Sequence, residues 1–374
     1  MTSHFSGWGL AVPPGRVTQE DAAEHAVAMW GGGFDRPGVI PALYRRSGVK
    51  SRHSILVETS SGDEPARQSF YHPASQSTDL GPSTQTRMQR YEADATALAT
   101  AAAHRALESA GVAADAITHL VTVSCTGFAA PGFDLQLIET LPLRRNVVRT
   151  HVGFMGCHAA FNGWRVARGF AESDPQAVVL VCCAELCSLH QQYTTDPEQI
   201  VANALFADGA AAVVVQASTV PPGADGQVID QRGWQLIDQQ SHVLPNTGNL
   251  MTWRIGDHGF QMTLSPRVPE VLQVCLKPWL SEWLARHELT IEDIASWAIH
   301  PGGPRILNAC EAVLSLPPAA LQASRDILER YGNMSSPTIM FILESLQRQQ
   351  APTPCVALAF GPGLTIEGAL WRSA

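Results

Sequence analysis

The sequence predicts an α/β protein with buried sheets, assembled from two halves of similar layout. Three observations predict it. His119–Cys125 reads as a buried strand, and Ala177–Ala184 and Ala210–Gln216 are apolar runs without a sustained polar alternation, as strands covered on both faces are. Segments with helical start and stop signals lie between them. The same alternation of strand and helix returns after residue 295, so a duplicated α/β unit accounts for the 374 residues, with an N-terminal half over 1–220 and a C-terminal half over 221–374. Hydrophobic residues make up 45% and charged residues 16%, which excludes a disordered chain. The formal net charge of −9 argues against a nucleic-acid binder, so any anionic ligand needs a local basic patch.

Residues 17–31 read as a helix opened by Thr18 and stopped at Gly31, the first residue of Gly31-Gly32-Gly33, which lacks the strand-turn-helix context of a nucleotide loop. Residues 58–88, rich in Ser, Gln, Pro and Thr, read as a surface loop. An Ala-rich helix follows over Tyr91–Ala110 and stops at Gly111. The three apolar runs are strands, and Pro221, Pro222, Gly223 and Gly226 mark a linker. In the second half, Ser296–His300 is a strand running into Pro-Gly-Gly. Helices are predicted over Pro304–Leu314, Leu321–Tyr331 and Pro337–Gln349. Cys355–Phe360 is a strand, followed by a Gly-Pro-Gly turn and a last strand over Thr365–Trp371. The first fourteen residues carry no basic run ahead of a long apolar stretch, and Ala177–Ala184 is too short to cross a bilayer. The expectation is a cytoplasmic protein with no stable membrane insertion and with its eight cysteines reduced.

Cys157 lies in Gly153-Phe154-Met155-Gly156-Cys157-His158-Ala159-Ala160. Small residues on both sides permit a tight turn, and the helical run that follows sets the thiol at a helix N-terminus, where the macrodipole is expected to lower its pKa. The plain alternative is a small buried hydrophobe. His300 closes a predicted strand before Pro301-Gly302-Gly303-Pro304, the kind of strand-end loop on which α/β proteins carry catalytic groups. Asn333, in Gly332-Asn333-Met334-Ser335-Ser336, could equally be an ordinary cap. Each is weak alone; the trio in punctuated loops is stronger. A Cys-His-Asn thioester hydrolase uses such a trio, but the papain-like signature is absent around Met155-Gly156-Cys157-His158. Cys182, Cys183, Cys187 and His190 are close in sequence but not at zinc spacing, and no metal site is expected.

Longer stretches point elsewhere. Ser124-Cys125-Thr126-Gly127 with Pro131-Gly132, Gly156-Cys157 with Ala159-Ala160, and Ala204–Ala211 come first in the chain. His300–Gly303, Gly332–Ser336 and Phe360-Gly361-Pro362-Gly363-Leu364-Thr365 follow. In this order they resemble the type III polyketide synthases of the chalcone synthase family, in their bacterial form. The resemblance implies a thiolase-like αβαβα layered fold and a cytoplasmic homodimer. It further implies an acyltransferase that uses malonyl-CoA and an acyl-CoA starter and needs no cofactor. Cys157 would carry the acyl chain, and His300 and Asn333 would support decarboxylation of malonyl-CoA, iterative Claisen condensation and cyclisation, giving alkylpyrones or alkylresorcinols. A single-condensing β-ketoacyl-carrier-protein synthase shares fold and trio, but the Gly-Pro-Gly-Leu-Thr turn argues against it.

The resemblance also implies a pocket. Phe206 matches a gatekeeper phenylalanine, and Met262 stands at the second gate position. His190 and Trp253 replace smaller pocket residues, Ala130 stands where a methionine crosses the dimer, and Ser335, Phe360, Gly361, Pro362 and Gly363 border the site. The stretch Val39–Leu56 holds Arg45, Arg46, Lys50 and Arg52 and no acid, a phosphate clamp for CoA against the negative whole. Arg46 aligns best with a family CoA contact, and Arg305 follows the His300 loop. The residues alone leave open whether His158, beside the thiol, touches substrate.

Overall fold

The computed structural model describes residues 3–30, 38–58, 68–217 and 233–373. The N-terminal half opens with β1 (Ser3–Ala11), β2 (Arg16–Thr18), α1 (Gln19–Trp30), α2 (Val39–Arg45), β3 (Ser51–His53) and α3 (Thr84–Ala110). It continues through β4 (His119–Ser124), α4 (Phe133–Thr140), β5 (Val148–Gly153), α5 (Ala159–Ser173), β6 (Val178–Leu186), α6 (Pro197–Leu205) and β7 (Asp208–Ala217). The C-terminal half holds β8 (Gly233–Val243), β9 (Met251–Gly256), β10 (Gly259–Leu264), α7 (Val268–Ala285), β11 (Ser296–Ile299) and α8 (Pro304–Leu314). Then come α9 (Gln322–Tyr331), α10 (Thr338–Arg348), β12 (Cys355–Gly361) and β13 (Thr365–Ser373).

Nine strands join in the order β11-β12-β13-β8-β1-β7-β6-β4-β5. The centre is the antiparallel pair β1–β8, and the two wings repeat each other outward from it. On one side β7 is antiparallel to β1 and to β6, and β6 is parallel to β4. On the other β13 is antiparallel to β8 and to β12, and β12 is parallel to β11. This is the duplicated α/β unit. Three apolar clusters give it layers: α3 packs one outer face, α7 and α8 the other, and α5 with α10 fill the space between the wings. The result is the αβαβα sandwich, thiolase-like in plan.

Local chemistry explains most element ends. Thr18 Oγ1 accepts from Asp21 N at 3.1 Å and opens α1. Ser83 caps α3 by accepting from Thr86 N, so α3 begins seven residues before the Ala-rich run, and Gly111 closes it in the left-handed region at φ 64°. Inward-facing alanines of α3 let it lie close on β1 and β7. Predicted α8 has the observed limits, and the strands at 178–186, 208–217, 355–361 and 365–373 each run slightly longer than their apolar runs. The proposed linker, Gly31 to Gly33 and 59–67 of the proposed loop lie outside the described residues. The sequence reading left β1, β5, β8, α7 and the β9–β10 ribbon unassigned.

Between the wings, Phe5 of β1, Trp164 of α5 and Trp371 of β13 meet edge to face, with Phe5–Trp371 centroids 4.8 Å apart and Trp164–Trp371 5.4 Å apart. Trp164 is fully buried in this cluster. Trp164→Ala is therefore expected to lower the unfolding free energy by about 3–5 kcal/mol, whereas Val274→Ala on the exposed face of α7 should change it by less than about 0.5 kcal/mol; chemical denaturation followed by tryptophan fluorescence and circular dichroism distinguishes the two.

Candidate active site

The thiol of Cys157 is set by a turn that only glycine can make. β5 ends at Gly153, the backbone passes through Phe154 at φ 61° and Gly156 at φ 79°, and a short 3₁₀ turn over Gly156–His158 leads into α5. A Cβ on Gly156 would lie 2.5 Å from Cδ of Pro362, so the Gly-Pro-Gly turn of the C-terminal half rests directly on the cysteine turn of the N-terminal half. Gly156 N–H also donates to Cys125 Sγ at 3.0 Å.

Asn333 reaches the same place from the loop after α9. Its N–H donates to Leu205 O at 2.8 Å and its carbonyl accepts from Ala207 N at 2.9 Å, so it is stitched to Phe206 as an isolated bridge. Its Oδ1 accepts from Ser335 N at 2.8 Å, which leaves Nδ2 as the outward donor. Asn333 and Ser335 both hydrogen-bond the Cys157 thiol. His300 stands at the end of β11, held by its N–H on Leu358 O at 2.8 Å. It is 1% exposed, and neither ring nitrogen has a partner among the described residues. His158, the neighbour of Cys157, acts electrostatically on the His300 ring.

Burial governs the protonation states. It pushes the Cys157 thiol up to about 11, with the nearby Glu185 carboxylate adding to the rise and hydrogen bonds from Ser335 and Asn333 opposing it. The expectation of a lowered pKa at a helix start is thereby corrected: desolvation outweighs it in the resting chain. Burial also lowers His300 to about 3, so its imidazole is neutral.

Cys157 opens onto a cavity of about 370 Å³ lined also by Cys125, Cys187, Phe206, Trp253, Met262, Ser335 and Pro362. Phe206, Met262, Trp253, Ser335 and Pro362 thus share one cavity with Cys157. His190 is not on this cavity. It borders an adjoining one of about 330 Å³ that shares Cys187, Phe206, Trp253 and Met262. Its Nε2–H donates to Thr126 O at 2.7 Å and its Nδ1 accepts from Phe260 N at 3.0 Å, so it ties the β9–β10 ribbon to the end of β4. Trp253 Nε1–H makes a second tie, to Cys125 O at 2.8 Å. Four further expected pocket residues do not line this cavity. Ala130 is exposed, Phe360 packs into the apolar cluster under α7, and Gly363 turns its carbonyl to Thr247 Oγ1 at 3.0 Å. Gly361 lies against the His158 ring.

The basic stretch divides. Arg45 and Arg46 are exposed at the end of α2. A Cβ on Gly48 would lie 2.8 Å from Cγ of Pro304, which brings the Arg46 turn beside exposed Arg305. Lys50 is ion-paired with Glu329. Arg52 is a buried strut rather than a phosphate contact: its Nη1 donates to Asn203 O at 2.6 Å and to Phe206 O at 2.9 Å. Cys182 and Cys183 face opposite clusters, and among the described residues no group of three metal-ligating side chains forms.

Sequence reasoning missed Glu185. This fully buried carboxylate accepts from Ser336 Oγ at 2.6 Å, Thr126 Oγ1 at 2.8 Å and Cys125 N at 2.9 Å, so it clamps the end of β4 to the Asn333 loop. Burial pushes it up to about 7. The one signal was an acid directly after the apolar run Ala177–Ala184.

Residues 42–219 match the N-terminal domain of chalcone and stilbene synthases, and residues 235–374 match the C-terminal domain. The chain is similar to the alpha-pyrone synthesis polyketide synthase-like Pks18 of Mycobacterium tuberculosis, 32% identical over 98% of this chain and 90% of that one. It is 34% identical to a 1,3,6,8-tetrahydroxynaphthalene synthase of Streptomyces peucetius over 97% of this chain and 91% of that one. Among solved structures, PKS-I of the brown alga Ectocarpus siliculosus superposes with a TM-score of 0.90 at 29% identity, covering 100% of this chain and 98% of that one.

The thiol geometry carries a direct consequence. A donor to the thiolate favours the charged form, so Ser335→Ala should raise the Cys157 pKa further and slow its alkylation by iodoacetamide at pH 8 roughly tenfold. Peptide mass spectrometry over time measures it; an unchanged rate would contradict the hydrogen bond.

Proposed function

The chain belongs to the chalcone and stilbene synthase family and is a type III polyketide synthase, an acyl-transferring condensing enzyme; on that premise we propose that Cys157 carries the acyl chain while His300 and Asn333 support decarboxylation of malonyl-CoA. The observation that supports this reading is the Asn333 side chain at the buried Cys157 thiol, with the buried, neutral His300 acted on by the residue next to that thiol. The Cys157 thiol gives its proton to His300, and the thiolate attacks the starter thioester, releasing CoA. Malonyl-CoA then enters a site with little water, where loss of the carboxylate as CO2 is favoured over keeping the charge desolvated. The resulting enolate oxygen takes hydrogen bonds from Asn333 Nδ2 and the His300 N–H. Its carbon attacks the Cys157 thioester and extends the chain by two carbons. Removing one such donor costs a factor of about 100 or more.

CoA thioesters reach this site past Arg46 and Arg305, whose shared rim supports a phosphate contact. Arg45 and Lys50 have lesser parts, because Lys50 already faces Glu329. Phe206 and Met262 stand at the gate. Similarity to the alpha-pyrone synthesis polyketide synthase-like Pks18 favours an alkylpyrone over an alkylresorcinol. The flexible Met262, shared with the adjoining cavity, is the side chain that yields to a longer aliphatic starter.

The working unit is a homodimer. β5 is an edge strand of the sheet, and Phe128, Val148 and Met155 around it are exposed apolar side chains that a second copy would cover. Ala130, exposed near them, would abut the partner's site. Eight free thiols fit a cytoplasmic enzyme, and no described helix is long and apolar enough to cross a membrane.

Two outcomes test the reading. Purified enzyme given labelled malonyl-CoA and starters from acetyl- to stearoyl-CoA, without carrier protein, should release pyrones detectable by mass spectrometry, and Met262→Phe should shift the preference to shorter starters. Free acid and CoA without malonyl incorporation would instead mark a hydrolase. Arg46→Ala should raise the KM for malonyl-CoA roughly threefold to tenfold with kcat within about twofold, the difference shrinking at high salt; an unchanged KM would remove Arg46 from the CoA path.

A further inference from the structure

His158 has no part in the mechanism above, yet it follows the nucleophile directly and is 2% exposed. Its Nδ1 lies 3.0 Å from Asn162 Oδ1, one turn along α5. Asn162 Nδ2 lies 3.4 Å from Glu367 Oε1 on β13, and Arg165 Nη2 pairs with Glu367 Oε2 at 2.6 Å. This chain has only one polarity. A guanidinium can only donate and a carboxylate can only accept, so Asn162 must show its amide protons to Glu367 and its oxygen to His158. An amide oxygen only accepts, so His158 carries its proton on Nδ1. The other nitrogen, Nε2, is then a bare lone pair.

The edge that bears Nε2 lies against Gly361. A Cβ on Gly361 would stand 2.1 Å from His158 Cδ2 and 2.7 Å from Nε2, so this edge lies flat on the end of β12. His300 is docked on the same strand through Leu358 O. When His300 takes the Cys157 proton, the S–H bond breaks, an N–H bond forms, and the buried ring carries two donors. An imidazolium donor left without an acceptor there is costly.

We propose that His158 is a positioning residue for the Cys157–His300 pair: held in its Nδ1–H tautomer by Arg165, Glu367 and Asn162, it offers the Nε2 lone pair to His300, directly or through one water. This rests on the reading that Cys157 and His300 exchange a proton. A neutral acceptor suits the task better than a carboxylate, because it steadies the imidazolium during loading without fixing it. His300 can then return to neutral and donate to the enolate. The groups that act on this pair are Ser335, Asn333 and Glu185 at Cys157, His158 at His300, and Glu367 and Arg165 at His158.

The test is the pH dependence of Cys157 alkylation by iodoacetamide, followed by peptide mass, in the full-length enzyme and in His300→Ala, His158→Phe and Asn162→Leu. Phenylalanine keeps a flat ring against Gly361 but offers no nitrogen. His158→Phe should move the profile toward that of His300→Ala, slowing alkylation roughly tenfold at pH 7.5, and should lower kcat for malonyl extension 10- to 100-fold with the KM for malonyl-CoA unchanged. Asn162→Leu, which releases the tautomer, should shift both in the same direction by less, and it serves alone if His158→Phe fails to fold by circular dichroism. A profile altered in His300→Ala but of wild-type form in the folded His158 or Asn162 variant overturns the proposal. A wild-type profile in His300→Ala overturns the proton-exchange reading beneath it.

Discussion

Gly156 and Pro362 touch across the joint between two α/β halves, and the site depends on that contact. The cysteine turn comes from one half and the Gly-Pro-Gly turn from the other, and their approach leaves no room for a Cβ at position 156. Because the turns meet, the thiol is buried. Because it is buried, its neighbours must supply what water does not: Ser335 and Asn333 at the sulfur, Cys125 at the Gly156 N–H, and Glu185 beneath the loops that carry them. Even Phe206, the proposed gate, follows, since it is bridged to Asn333 and its carbonyl is held by Arg52.

The same burial sets the electrostatics. The thiol is raised, the imidazole lowered and Glu185 raised, each chiefly by desolvation. All three shifts favour neutral forms, so the resting site carries little charge. In the proposed mechanism charge appears only when a substrate makes it: thiolate with imidazolium during loading, enolate during extension. Fixed donors such as Asn333 Nδ2 are most effective against charge of that transient kind, because they are oriented before it develops. The rim that holds Arg46 and Arg305, by contrast, is exposed, and the proposed phosphate contact there would cost little desolvation.

Much of this was legible in the sequence. The apolar runs became the inner strands, because strands covered on both faces have no polar side to show. Cys157, His300 and Asn333 stood out as candidates because glycine and proline punctuate the loops that carry them. Other features were hidden for physical reasons. β1 and β8 pair with each other and with β7 and β13 at the centre, a non-local arrangement that no local pattern announces. The roles of Arg52 and Lys50 looked alike in sequence, but one is drawn inward to two carbonyls and the other is paired with Glu329. His190 was placed in the pocket by alignment, whereas its two ring nitrogens are both used in holding the ribbon. The sign of the Cys157 shift was missed because the sequence displays a helix start but not the depth at which it lies.

Three cysteines line the cavity, so the central claim is that one of them, Cys157, takes the acyl group. The most direct measurement is intact-protein mass spectrometry of the enzyme mixed with an acyl-CoA starter in the absence of malonyl-CoA, followed by peptide mapping at low pH. The account predicts one acyl group per chain, on the peptide that contains Cys157, and none on the Cys157→Ala variant. An acyl group on Cys125 or Cys187 instead, or no covalent adduct with any starter, would contradict it.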